Sequence, residues 1–125
     1  MRYDIPMSLD VYAYVRTETG GMEDIDDSLP SSAGFEKCRK ELWGSKAARS
    51  LRLKVLPRLA HSDVYAETTI MLDNLEADLR TVLANLDFLA ERTPYGADYI
   101  KERTSNILGA VECAQKYSAG CVVIW

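Results

Sequence analysis

His61, Ser62 and Asp63 stand side by side, and His61 is the chain's single histidine. These are the residue types of a hydrolytic triad. A nucleophile, its base and the orienting acid must converge in space, however, and three consecutive side chains do not. One histidine also falls short of the usual zinc sites built on two or three imidazoles. His61 therefore reads as a loop residue. The run Glu23-Asp24-Ile25-Asp26-Asp27 offers oxygen ligands for a hard cation. It lacks the alternating ligands, central glycine and closing glutamate of an EF-hand loop, so it reads as a solvated acidic loop.

The three cysteines, Cys38, Cys113 and Cys121, are odd in number and have no C-x-x-C spacing. They signal neither a disulfide framework nor a zinc site. Cys113 and Cys121 are expected to be buried packing residues. Cys38 lies between Lys37 and Arg39, cations that favour a thiolate, but no histidine is near it to act as a base. It reads as an incidental surface or half-buried cysteine. There is no Walker loop, no dinucleotide-binding glycine fingerprint and no nucleophile elbow. No catalytic residue, metal-ligand set or cofactor is expected.

The least random feature is the distribution of charge. The chain has 125 residues and a formal net charge of −4. Residues 1–36 hold two basic and eight acidic side chains, and residues 59–125 hold five and ten. Residues 37–58 hold eight basic side chains and the single acid Glu41. The basic stretch supplies the candidate partner-binding residues Trp43, Arg49, Arg52, Lys54 and Arg58, since tryptophan and arginine are the types enriched where binding energy concentrates. Three uses compete: neutralisation by acidic surfaces of the same domain, contact with an acidic protein, and contact with nucleic-acid phosphate. The overall acidity and the lack of a nucleic-acid-binding signature place the last behind the other two.

The elements that must position these residues follow from periodicity. Leu9, Val11, Ala13 and Val15 alternate with Asp10, Tyr12, Tyr14 and Arg16, which predicts a half-buried strand. A short return strand near residues 22–25 would make a hairpin, with the rest of 22–34 an exposed loop. A short helix is expected over 35–42 and another over 46–60, capped by Ser45 and kinked before Pro57. Residues 51–55 alternate like a strand as well, so that stretch is ambiguous. Residues 64–66 read as extended. Leu72, Leu75, Leu79, Val82, Leu83, Leu86 and Leu89 predict one long helix over 69–91, and a second long helix follows over 97–117. The apolar run after Gly120 predicts a final strand covered on both faces. The expected fold class is α+β: one domain over residues 1–125, with a sheet of two or three strands pairing the N- and C-terminal strands on three to four helices.

Residues 1–6 show no apolar leader, and no run approaches the length of a membrane span, so a cytoplasmic protein with no membrane partner is expected. The leading functional expectation is a small non-enzymatic protein that binds another macromolecule, such as an immunity or inhibitor protein of a bacterial or phage conflict system. The alternative is a small-molecule binding domain or minor enzyme, with a pocket between sheet and helices lined by Tyr12 and Tyr14. Nucleic-acid binding through 37–58 comes next. Homodimerisation through Trp125 and the terminal strand is a further expectation, because uncovered sheet edges recruit partners.

Overall fold

The computed structural model describes residues 8–26 and 28–125. The leader reading of residues 1–6 and Asp27 of the acidic run lie outside them. Strand β1 (Ser8–Arg16) forms where the alternation predicts it, with Leu9, Val11 and Ala13 buried on one face. Gly20, at φ 84°, turns the chain into β2 (Met22–Asp24), the expected return strand, which pairs with residues 14–16. The chain then comes back to the same edge as β3 (Ser32–Phe35), opposite residues 8–10.

The final strand, β5 (Gly120–Ile124), runs antiparallel to β1, with Val11 facing Ile124 and Ala13 facing Val122. On its other side it pairs with β4 (Val64–Ala66). The order is β2-β1-β5-β4, with β3 beside β1, so the N- and C-terminal strands pair as expected within an α+β fold. The short strands β3 and β4 enlarge the sheet to five. β5 is bonded on both sides, to β1 and, over Val122–Ile124, to β4, so it is an inner strand of the sheet rather than the edge strand that the dimer expectation supposed.

Helices cover one sheet face. The helix α1 (Lys46–Ser50) is only one turn and a half, started by the Ser45 hydroxyl, which accepts the Ala48 N–H. Arg52 then takes a left-handed φ of 62°, which stops both continuations that the alternation of 51–55 allowed, helix and strand. A 3-10 turn follows at Leu56–Ala60. The helix expected over 35–42 is a π turn at Arg39–Trp43.

The leucine stripe is divided between α2 (Thr69–Leu83) and α3 (Leu86–Arg92). Asn85 causes the break: its side-chain amide donates to the Thr81 carbonyl and competes with the backbone ladder. Leu75, Leu79 and Leu89 are nevertheless all fully buried, each contributing about 1.5–3 kcal/mol by leaving water. The last helix, α4 (Ala97–Ala114), lies across β1 and β3 and beside α2. Among the described residues, no helix is long and apolar enough to cross a membrane.

Candidate basic binding surface

The stretch 37–58 is held from beneath by two buried polar contacts. Trp43 is 1% exposed, and its indole N–H donates to the Ala33 carbonyl at 3.0 Å, tying the π turn to β3. Expected as a surface anchor, Trp43 is a core residue, because the apolar ring and its single N–H are both satisfied inside. The second contact is Asp78 of α2, whose carboxylate accepts the N–H groups of Lys54, Val55 and Leu56 at 2.7–2.9 Å. Asp78 is 3% exposed, although a carboxylate on a helix ordinarily faces water. Its position was a legible signal: residues 75, 78, 79 and 82 follow the i, i+3, i+4, i+7 spacing of one helix face.

Above this base the cations divide. Arg39 is consumed internally, bonded to Glu36 and Asp63 and to the carbonyls of Leu59 and Ser62. The other seven of the eight basic side chains in 37–58 form no ion pair among the described residues. Arg49, Arg52, Lys54 and Arg58 are all exposed. Arg58 touches only the Met71 sulfur, at 3.8 Å. Among the described residues, no acid of the 22–34 loop forms an ion pair with this surface. Asp26 is held below the usual carboxylate range chiefly by the hydroxyl and N–H of Ser28, and the cation that bears on it is Lys116, just past the end of α4.

Lys40, Lys46 and Arg49 converge with His61 around a cleft of about 290 Å³ between the π turn and the 3-10 turn. Its floor is Gly44 against Ala60; a Cβ at Gly44 would lie 2.5 Å from the Ala60 Cβ. No carboxylate lines the cleft. His61, read from sequence as a plain loop residue, stands on its rim. Arg52, Lys54 and Arg58 lie outside it.

Tyr12 and Tyr14 occupy the sheet face turned away from the helices, where Tyr14, Cys121 and Val123 form a second small cluster with Tyr12 packed on it. Among the described residues these tyrosines line no pocket between sheet and helices, since the helices cover the opposite face. Tyr14 is fully buried, and its hydroxyl donates to Glu67 at 2.6 Å; Arg16 donates to the same oxygen. Burial, reinforced by Glu67, holds the Tyr14 phenol well above its ordinary value. Tyr65 and Trp125 meet edge to face on this side, 44% and 42% exposed.

Cys38 is fully buried rather than at the surface, with Sγ 3.7 Å from the Tyr99 hydroxyl. Cys121 is buried as expected, and Cys113 is half-buried. Among the described residues, no group of three or more His, Cys, Asp or Glu side chains could hold a metal ion. No protein-family model, curated protein or solved structure matches this chain.

Proposed function

We propose that this protein acts by binding an acidic protein partner through the basic surface of residues 37–58. The observation that carries this reading is the set of seven cations without an internal counter-ion. Like charges crowded on one surface repel and cost stability, whereas a negatively charged partner turns the same charges into attraction and faster encounter. The buried supports beneath, Trp43 and Asp78, give that surface a fixed shape. An immunity or inhibitor role belongs within this reading, and a neighbouring toxin or nuclease gene would support it.

The test uses a fluorescent polyglutamate peptide and a DNA duplex of equal charge, titrated at low and at physiological salt. Salt-sensitive binding of the peptide, weakened by Arg52→Glu with Arg58→Glu, is the expected result. Tighter binding of the duplex favours the nucleic-acid alternative. Indifference to both at low salt removes the proposal.

A further inference from the structure

The cleft beside that surface carries a narrower assignment, which rests on the same unpaired cations but names a different ligand. We infer that the cleft ringed by Lys40, Lys46, Arg49 and His61 binds a phosphate monoester. Three fixed positive charges face one cavity of about 290 Å³ with no carboxylate in its lining. The acids nearest in the fold are already engaged elsewhere. Glu36 and Asp63 are held by Arg39, Glu41 accepts the Tyr95 hydroxyl at 2.9 Å, and Asp78 is buried under three backbone amides. Among the described residues, then, no acid pairs with the cations of the cleft, which leaves them open to an anion from outside.

The number of cations selects the ligand class. A carboxylate brings a single negative charge, whereas a phosphate monoester brings about −1.5 to −2 at pH 7 and three acceptor oxygens. Arg49 can present a two-pronged donor edge to such a group, and the two lysine ammonium groups act as point charges beside it. The His61 imidazole adds a ring N–H donor. Beneath the cleft the two turns pack closely, since at Gly44 a Cβ would meet both Ala60 and the Arg39 carbonyl, and this contact sets the spacing of the elements that carry the cations. The same chemistry is found on a small phosphorylated metabolite and on a phosphorylated side chain of a partner.

The experiment is a titration of 15N-labelled protein with inorganic phosphate, glycerol phosphate and a phosphoserine peptide, at ionic strength held constant with chloride. The expected result is saturable movement of the amide signals of Lys40, Gly44, Lys46, Arg49 and His61. Arg49→Gln should weaken the binding at least about tenfold, as loss of a hydrogen bond to a charged group does. Arg58→Gln, outside the cleft, should leave it unchanged while weakening polyglutamate binding. A phosphoserine peptide binding more tightly than glycerol phosphate identifies a partner-borne group; equal binding identifies a small ester. Equal affinity for acetate, movement no larger than chloride produces, or an Arg49→Gln protein that is folded by circular dichroism and binds as the parent does would each overturn the assignment. Absence of polyglutamate binding by the parent protein, with phosphate binding present, would remove the acidic-partner reading and leave this one standing.

Discussion

The carboxylate of Asp78 accepts the backbone N–H of Val55 at 2.7 Å, at a point where Val55 is fully buried and Asp78 is 3% exposed. Two further amides, of Lys54 and Leu56, point at the same group, so one side chain of α2 organises the start of the 3-10 turn that walls the basic cleft. Asp78→Ala would leave three donors without this acceptor, the buried N–H groups of Val55 and Leu56 at about 1–3 kcal/mol each and not fully additive, and the part-buried one of Lys54 at less. We expect a loss of at least about 3 kcal/mol in urea denaturation. Asp78→Asn should fall between the two proteins, because its amide oxygen still accepts while its NH2 meets donors. A loss under about 1 kcal/mol for Asp78→Ala would show that these amides find other partners.

Two glycines flank the path into β5 and should respond in opposite directions to alanine. A Cβ on Gly120 would lie 1.8 Å from the Ala114 carbonyl oxygen, where α4 and β5 meet. Nothing in that backbone crossing can yield cheaply, so Gly120→Ala should be the more damaging of the two and can prevent folding. Gly109, inside α4, has no atom within 4 Å of the same position. Gly109→Ala should therefore raise stability by about 0.5–1 kcal/mol, the usual difference between the two residues in a helix. A thermal midpoint that fails to rise for Gly109→Ala would contradict the open space described there.

The pairing of β1 with β5 was legible because each strand announces itself locally, one by strict alternation and the other by an unbroken apolar run. Their antiparallel direction was not, since no local pattern encodes it. The helical stripe from Leu72 to Leu89 kept its phase across the break at Ala84–Asn85, so burial was read more accurately than helix length. Charge clustering exposed the basic surface, and Arg49, Arg52, Lys54 and Arg58 do lie on the outside. Trp43 and Arg39 could not be sorted in the same way. The first is claimed by the carbonyl of Ala33 and the second by Asp63, 24 residues away, and no spacing rule links either pair.

The two tryptophans give a direct optical check of that sorting. Trp43 is 1% exposed and Trp125 is 42% exposed. With Trp125→Phe, the remaining emission should be blue-shifted and poorly quenched by acrylamide. With Trp43→Phe, it should be red-shifted and readily quenched. Trp43→Phe also leaves the Ala33 carbonyl without its donor, at a cost of about 1–3 kcal/mol. Easy quenching of the Trp125→Phe protein while it remains folded would return Trp43 to the surface and to the candidate contact set.

Glu67 makes stability depend on pH in a window that can be stated in advance. The Tyr14 hydroxyl first, with Arg16 adding to it, holds its carboxylate below the ordinary value of 4.5 against the opposing effect of burial. As pH falls, the unfolded chain takes up this proton near 4.5, whereas the folded protein does so only at lower pH. The stabilisation is therefore fully present above that ordinary value and is lost as pH drops through the lower, folded one. Asp10 acts in the opposite sense over acidic pH, because burial holds its carboxyl above the usual range. The comparison should accordingly be made between the parent and Glu67→Gln, which share Asp10. The glutamine oxygen can still accept from Tyr14 but carries no charge for Arg16. In urea denaturation the parent should be the more stable at pH 7, with the gap closing as the pH is lowered through and below the ordinary carboxylate value. A gap that stays constant over that range would mean that the Glu67 carboxylate contributes nothing through its charge.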